Sequence, residues 1–453
     1  MAASPHRRRL RRGCLCLLGL AAMAVPAAAL AQSAQAEPTS TQHRDENGET
    51  LAREPVSVTW AITYNSDANA NVSGGNETGG AYLQRIGLLA DADLDSLLGW
   101  RGGSAHLSVH AIQGNGLSGL RVGNLLTVSG IEAAPALRLF NLWIEQKLGS
   151  RLAVRVGQFT AGQEFAISPT ATLFVNSTFG WPGSFATDLP SGGPAYPLAA
   201  PGVRVALDAG RGTVVRAAVF SGDPAGQGSG DPQRRDLHGF NGVRLKGKPF
   251  VIGEIVRSSG GDDPSWSATL GGWVHFDRFD DLRFDGQGRS LSSPLSQGNP
   301  LRHARNYAFY FIVDHRLWRA AGRSVRGFVR LSASPADRNA IDLYVDGGLS
   351  ISSSLRARPN DTFGIGVAIA RTSPQLRSRV RDSATPGMNG QNLPGFEAVI
   401  EASYQIKATA SLSLQPNVQL VLHPSGALLT GMDETWNLPR RAIAVGLRTS
   451  LRL

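Results

Sequence analysis

Three short segments of the sequence contain residue types whose spacing could bind a metal ion or a phosphate group. His106 and His110 stand four residues apart. On a helix, that spacing places two imidazoles on one face, where they can bind zinc. The segment GVRLKGKP, residues 242–249, begins like a phosphate-binding loop. The acidic segment FDRFDDLRFDG, residues 276–286, resembles a calcium-binding loop.

The last two segments each lack a residue that the chemistry requires. Pro249 occupies the position of the hydroxyl residue that binds magnesium in a phosphate loop, and the sequence after it predicts no helix. Arg283 occupies the position of a calcium ligand, and no glutamate closes that loop. The sequence contains no G-x-S-x-G or H-E-x-x-H motif. We therefore expect no catalytic residues, no bound metal and no cofactor.

Whether the two histidines can bind one metal ion depends on the element that contains them, and the surrounding pattern indicates strands. From about residue 55 onwards, apolar side chains recur at every second position. A strand rises about 3.3 Å per residue, so the two histidines lie roughly 13 Å apart, too far to share an ion. We interpret them as polar residues that face a lumen. The alternation covers residues 137–147, 150–158, 266–276, 305–318, 323–333, 340–352, 361–370, 396–407, 410–423 and 443–453.

Three features favour a membrane barrel over a soluble sandwich, which also alternates. Many strands have ten or more residues, whereas strands of soluble proteins average five or six. The polar faces carry arginine, glutamate and glutamine beside glycine and alanine, which suits a wet lumen. Aromatic residues lie near strand ends, as in the girdles of outer-membrane barrels. They are Trp60, Tyr64, Trp266, Phe276, Tyr307, Phe396 and Tyr404.

We predict an all-β fold, a transmembrane antiparallel β-barrel of sixteen strands. Backbone groups in lipid must all be paired, so a spanning sheet has to close on itself. We count about seventeen candidate strands, but single-chain bacterial barrels have an even number. Residues 238–246 and 249–257 are the doubtful neighbours. Residues 94–100, LDSLLGW, predict one short helical turn.

The first residues predict export. A basic start at residues 6–12 precedes an apolar run at 13–31 that ends in Ala-Leu-Ala, so we predict a signal peptide over 1–31, cut before Gln32. The alternative is a retained membrane anchor. Residues 32–54 are polar and predict a flexible periplasmic segment, and residues 55–453 form the barrel. We therefore expect a protein of the Gram-negative outer membrane.

Removal of residues 1–31 changes the balance of the chain. It takes away five arginines and no acids, so the formal charge falls from +10 to +5, and a nucleic-acid partner loses its main support. Both cysteines leave as well, which excludes disulfides and thiolate metal sites in the mature protein.

One long connection is both apolar and rich in proline and glycine. About forty residues separate the strand at 150–158 from the strand near 201–209, and loops of that length are usually functional or disordered. The segment 179–197, FGWPGSFATDLPSGGPAYP, is too apolar to be disordered. We expect this loop to fold inward and narrow the channel. Such a loop would place flat aromatic faces along the channel, and these suit sugars. A sugar needs flat apolar faces for its C–H surfaces and charged or amide groups for its hydroxyls.

The inward loop and the wall beside it supply the candidate channel residues. In LFNLWIEQ, alternation assigns Phe140, Leu142 and Ile144 to the lipid face. Opposed arginines and acids across a constriction select solutes by charge and bind hydroxyls. The alternative is that these charges pair with each other and only brace the loop. The candidates for sugar contact are Asn176, Trp181, Asp188 and Tyr196 in the loop, and Trp143, Glu145, Arg155, Arg204 and Arg216 in the wall.

These residues lie in segments that resemble the carbohydrate-selective porins of the OprB type. The resemblance covers about residues 55–453 and implies a sixteen-stranded outer-membrane channel for passive uptake of glucose and related sugars. It also implies contact with outer-membrane lipid and lipopolysaccharide. Barrels of this kind commonly end in phenylalanine, which the assembly machinery reads, whereas this chain ends in Leu453. The segments are residues 97–118, 122–133, 173–205, 219–226, 278–288, 302–319 and 336–349.

Two other functional hypotheses remain open from the sequence. A general or differently selective porin would share the fold and differ only in measured selectivity. A membrane-embedded hydrolase or a soluble sugar-binding sandwich belongs to another class. The hydrolase would need a serine and a histidine together at a lipid-facing edge, and no such pair is recognisable. The sandwich would partition into the aqueous fraction without detergent.

Overall fold

The computed structural model describes residues 57–240, 245–320, 322–352, 358–383, 393–426 and 438–453. The predicted signal peptide, 1–31, and the predicted N-terminal segment, 32–54, lie outside these residues. Within the described ranges, the helices are all too short or too polar to cross a membrane.

Sixteen antiparallel strands close into one barrel, and two short strands form a separate sheet. Each barrel strand pairs with its neighbours in the chain, except that β12 pairs with β9, and β18 closes the barrel on β1. The separate sheet is β10–β11. The strands are β1 Val58–Gly74, β2 Gly79–Asp93, β3 Gly103–Gly114, β4 Ala136–Leu148, β5 Leu152–Phe159, β6 Ala200–Gly210, β7 Thr213–Phe220, β8 Phe250–Ser258, β9 Trp266–His275, β10 Phe279–Asp285, β11 Pro300–His303, β12 Asn306–Ala320, β13 Arg323–Ala333, β14 Ile341–Ser352, β15 Thr362–Thr372, β16 Phe396–Lys407, β17 Leu412–Leu422 and β18 Arg441–Arg452.

The helices are short and lie in the connections. The helical turn expected at residues 94–100 is α1, Leu94–Leu98, which ends at Gly99 in the left-handed conformation. The others are α2 Gly183–Asp188, α3 Pro232–Arg235 and α4 Pro374–Asp382. Single turns of 3-10 or π helix cover Ser118–Val122, Ala161–Gln163, Ala171–Leu173, Ser177–Phe179 and Pro190–Gly192.

The two faces of the sheet confirm the predicted membrane barrel. Large apolar side chains lie on the outside, where Leu270 is 62% exposed and Phe309 66% exposed. Charged side chains lie inside, where Arg330 and Glu401 are fully buried. A soluble protein has the opposite arrangement, whereas a barrel in lipid needs an apolar exterior around a polar lumen.

Of the two doubtful candidate strands, residues 238–246 and 249–257, only the second matches a strand of the barrel. The described part of residues 238–246 contains only turn and irregular structure, and β8 begins at Phe250. One end of the barrel, the turn end, carries short connections such as residues 149–151 and 211–212. The opposite end carries long loops. In outer-membrane barrels the short turns lie in the periplasm and the long loops outside.

The interpretation of Phe140 as a lipid-facing residue is wrong. The pairing of β3 with β4 shifts between Ser108 and Val109, so one extra residue of β4 is accommodated by a bulge. Phe140 therefore points into the barrel, where it is 2% exposed and its ring stacks on His110 with centroids 4.5 Å apart. Leu142 and Ile144 do face outward, as predicted.

Two long loops fold into the barrel and fill part of its lumen. Loop A, residues 115–135, and loop B, residues 160–199, supply buried apolar side chains to clusters with the inner faces of the strands. Small wall residues make room for them. A Cβ atom at Gly366 would lie 2.9 Å from the rings of Phe174 and Phe179, which belong to loop B.

Candidate functional site

Buried charges on the barrel wall hold loop B in place. Glu401 on β16 accepts hydrogen bonds from the backbone N–H groups of Val175 and Asn176, at 2.7 and 2.9 Å. On the neighbouring wall, Arg330 forms a bidentate ion pair with Asp346. The same guanidinium donates to backbone carbonyls of loop B, including that of Ala166 at 2.7 Å. These bonds satisfy loop backbone groups that no regular element would pair.

Loop A is held by the same device. Glu397 on β16 accepts hydrogen bonds from the backbone N–H groups of Leu125 and Leu126, at 3.0 and 2.7 Å. Within the loop, the Glu132 carboxylate accepts bonds from the backbone and hydroxyl of Ser118. Burial raises the pKa of Glu132. The loop is therefore an ordered part of the lumen.

Two arginines and two glutamates form a closed ring of ion pairs, the ion ring, between loop B and the wall. Arg155 contacts Glu145 at 2.8 Å and Glu164 at 2.5 Å. Arg204 contacts the same two carboxylates at 2.8 and 2.7 Å. All four side chains are at most 17% exposed. The charges cancel, so the ring offers hydrogen-bonding groups without net charge.

Strand register brings these residues together. Glu145 of β4 lies directly opposite Arg155 of β5, and Arg155 lies opposite Arg204 of β6. Two arginines side by side repel each other. Glu164, which enters from loop B, lies between them and compensates that repulsion.

Tryptophans border the ion ring. The guanidinium carbon of Arg155 lies 3.5 Å from the ring centre of Trp143, and the Trp143 ring also stacks on His106. Trp181 of loop B packs edge-on against Phe185, and its indole N–H donates to the Gly192 carbonyl. Both tryptophans are only partly buried and pack against one apolar cluster. Flat apolar surface therefore adjoins charged donors and acceptors.

Arg216 extends the row of charges along the wall. It lies opposite Glu254 in the register of β7 and β8 and forms an ion pair with it at 3.1 Å. Glu254 also accepts hydrogen bonds from Tyr310 and from the backbone of Ala166 in loop B. Glu254 is thus both a partner of Arg216 and an anchor of the loop.

A second polar cluster surrounds Tyr196 where loops A and B meet. The Tyr196 hydroxyl donates to the Ile131 carbonyl of loop A, and burial raises its pKa to about 12, so it stays protonated. The Arg85 guanidinium lies 5.2 Å from the Tyr196 ring centre, and His110 lies 6.1 Å away. Among the residues that the structure describes, Arg85 forms no ion pair, and the buried Nδ1 of His110 has no partner. Arg85 Nε and His110 Nδ1 are thus buried polar atoms without a partner among the described protein groups.

The sequence of the barrel matches a known protein family over most of its length. The sequence profile of the carbohydrate-selective porins, the OprB family, matches residues 77–453. The chain belongs to this family. It is an outer-membrane carbohydrate porin, and both the family and the barrel fold point to a channel. The predicted fold, the predicted localisation and the resemblance are confirmed.

Individual relatives agree with this assignment. Porin B of Pseudomonas aeruginosa is 23% identical to this porin over 437 residues, which cover 91% of this chain and 93% of that protein. The high-pH structure of Pseudomonas putida OprB superposes with a TM-score of 0.75 at 21% identity and covers 88% of this chain and 94% of that one. The low-pH structure of the same protein gives 0.51 at 14% identity, with coverage of 88% and 93%. The two structures are similar to this porin in fold.

Four of the predicted site residues, Glu145, Arg204, Asn176 and Asp188, are buried inside the porin. Glu145 and Arg204 belong to the ion ring, whereas Asn176 and Asp188 lie outside it. Asn176 is 1% exposed, and its side-chain NH₂ donates to Leu126 and Gln419. Asp188 is 7% exposed and accepts hydrogen bonds from Ser334 and the backbone of Ile341. Burial raises the pKa of Asp188 well above its usual range. Both positions favour a role in holding loop B.

Three residues near the site of this porin were not predicted from the sequence pattern: Glu164, Arg85 and Tyr310. Glu164 lies in an irregular part of loop B, where alternation gives no direction for a side chain. Arg85 could have been predicted from the alternation of β2. That alternation places it on the inward face, where its charge stands out among apolar neighbours. Tyr310 stands between outward-facing aromatic residues of β12, which hides its inward direction in a run of aromatic letters.

Proposed function

We propose that this porin admits glucose and related mono- and disaccharides by passive diffusion through a lumen that loop B narrows. The observation that carries the proposal is the stack of Arg155 on Trp143 inside a ring of compensated charges. An indole face binds the apolar C–H side of a sugar. The adjoining guanidinium and carboxylate groups bind its hydroxyls.

The neutrality of the ion ring favours an uncharged polyol. An ion that entered would meet both signs of charge at similar distances and would lose hydration without net attraction. A sugar exchanges hydrogen bonds with water for hydrogen bonds with the ring at little cost. We propose direct contact for Trp143, Trp181, Arg155 and Arg216, and a supporting role for the buried Glu145, Arg204, Asn176 and Asp188.

The cluster around Tyr196 offers a second contact for sugar hydroxyls. Arg85 has donors that no described carboxylate occupies, and Tyr196 presents an aromatic face beside them. We expect Arg85→Ala to slow glucose entry at least about tenfold, since a hydrogen bond to a charged group is worth about 1.5–3 kcal/mol.

We also propose the partners that the apolar exterior implies. Outer-membrane lipid and lipopolysaccharide contact the outward side chains, and the assembly machinery binds the terminal strand β18. We expect no catalytic activity, no cofactor and no nucleic-acid partner.

Liposome swelling with the purified porin tests the proposal. Glucose, a disaccharide, an amino acid and a small anion of similar size are compared. We expect the sugars to enter faster than their size predicts, and Trp181→Ala to reduce that advantage. Trp60→Ala is the matched control, because Trp60 is 63% exposed on the outer face. Rates that follow size alone would support a general porin instead.

A further inference from the structure

Three arginines converge on a single aspartate at the turn end of the lumen. Arg316 and Arg319 of β12 contact Asp263 at 2.7 and 3.3 Å, and Arg326 of β13 contacts the same carboxylate. Arg326 also donates to the backbone carbonyl of Pro264. Asp263 and Pro264 lie in the turn between β8 and β9. One carboxylate thus serves three guanidinium groups.

The cluster faces the channel. Arg316 continues the inward series of β12 that contains Asp314, which binds loop B. Arg326 continues the inward series of β13 that contains Arg330. After the shift in register beyond Arg316, Arg319 lies opposite Ser324 on the same face. The short turns of an outer-membrane barrel lie in the periplasm, so the cluster borders the periplasmic exit.

The charge balance here differs from that of the ion ring. In the ring, two carboxylates match two guanidiniums. At the exit, three positive charges face Asp263, and even with the neighbouring Asp262 counted the balance stays positive. Arg316 lies directly opposite Arg326 in the register, an arrangement of like charges that needs a counter-ion.

Most N–H donors of the three guanidinium groups have no acceptor among the described protein groups. Three guanidinium groups carry about fifteen N–H donors. Asp263 and Pro264 accept only a few of them, and the Arg319 side chain is 64% exposed. Converging guanidinium groups with free donors bind carboxylate and phosphate oxygens in a bidentate manner.

We propose that Arg316, Arg319 and Arg326 form an oxyanion-binding site at the periplasmic exit, which takes the carboxylate or phosphate group of a charged sugar. The inference rests on the proposed function, because it extends the solutes of a sugar porin to acidic sugars. Neutral selection at the ion ring and anion binding at the exit are separate properties, carried by different residues.

Entry of glucose, glucuronate and glucose 6-phosphate into proteoliposomes, assayed enzymatically, tests the site. We expect Arg316→Gln and Arg319→Gln each to lower the ratio of charged sugar to glucose about fivefold, the effect of one unit charge at contact distance in water. Glucose entry itself should not change. A fall for glucuronate alone assigns a carboxylate site, and a fall for glucose 6-phosphate alone assigns a phosphate site.

Arg323→Gln is the matched control. Arg323 begins β13 opposite Ala320, on the other face of the same hairpin, so its loss removes one charge outside the cluster. Asp263→Asn should raise the ratio. An unchanged ratio in both cluster variants, or an equal fall in Arg323→Gln, would overturn the site. Failure of the wild type to admit glucose would instead contradict the proposed function.

Discussion

The Arg155 guanidinium covers the face of the Trp143 ring, with its carbon atom 3.5 Å from the ring centre. The same guanidinium contacts the carboxylates of Glu145 and Glu164. Gly157 lies directly opposite Trp143 in the pairing of β4 with β5. A Cβ atom there would lie 2.6 Å from the Trp143 backbone. Glycine at this position therefore lets β5 approach β4 closely beside Trp143, and the stack fixes both the indole and the guanidinium at the ion ring.

Loss of the indole should reduce sugar selectivity without closing the channel. In Trp143→Ala, Arg155 keeps both carboxylate partners, so loop B stays anchored while the flat apolar face disappears. We expect the swelling rate with glucose, relative to an amino acid of similar size, to fall about threefold, since the loss of roughly 25 Å² of apolar contact with the sugar costs about 0.6 kcal/mol. Trp266→Ala, on the outer face, should leave the ratio unchanged.

Neutralisation of Glu164 should loosen loop B. Glu164→Gln leaves Arg155 and Arg204 to share Glu145, and breaking a buried ion pair costs about 3–5 kcal/mol. We expect larger and noisier single-channel conductance, with a shift toward anions. Glu77→Gln is the control, because the Glu77 pair with Arg121 is exposed and such pairs contribute little. Unaltered conductance in Glu164→Gln would mean that other contacts suffice.

A larger side chain at Gly366 should push loop B away from the wall. In Gly366→Val the added atoms meet the rings of Phe174 and Phe179, and overpacking costs about 1–3 kcal/mol. We expect a wider channel that passes disaccharides nearly as fast as glucose. Val367→Leu, on the outer face of the same strand, should retain the wild-type ratio. If Gly366→Val kept the wild-type ratio of disaccharide to glucose entry, the rings of Phe174 and Phe179 would be able to shift without moving the loop.

The packing of loop B should weaken as pH rises. The folded-state pKa of Asp188 lies above its unfolded value, so its contribution is fully present below about pH 4 and is lost as pH rises through the raised pKa. Asp188→Asn stays neutral and keeps an acceptor for Ile341. We expect its thermal unfolding midpoint to exceed that of the wild type at pH 8 and to vary less with pH. If the unfolding midpoints of the wild type and Asp188→Asn changed equally with pH, the loss of stability could not be assigned to ionisation of Asp188.

The sequence predicted the barrel because lipid imposes a strict alternation on every spanning strand. Deviations from that pattern marked the failures. Phe140 was assigned to the wrong face because a bulge is invisible in a pattern of period two. The acidic segment that resembles a calcium loop contains β10, which pairs with β11 outside the barrel.

Loop B was predicted to fold inward, whereas loop A was not. Proline and aromatic residues mark loop B, but loop A shows only scattered apolar residues such as Leu126 and Val128 between glycines. The partners of both loops, Glu397 and Glu401, stand among ordinary lumen residues of β16. Nothing in a single strand tells which of its acids will meet a backbone from a distant loop.

The bond between the first and last strands has a consequence for assembly. Ile62 and Leu453 exchange both backbone hydrogen bonds, at 3.0 and 2.9 Å. Until β18 arrives, the sheet is an open ribbon whose two terminal edges expose unpaired backbone groups. Every other strand pairing of the barrel forms between neighbours along the chain or across one loop, whereas this one joins the first and last strands and bears the greatest loop-closure entropy. Closure is therefore expected to be the last and slowest step of folding, after the rest of the wall has formed.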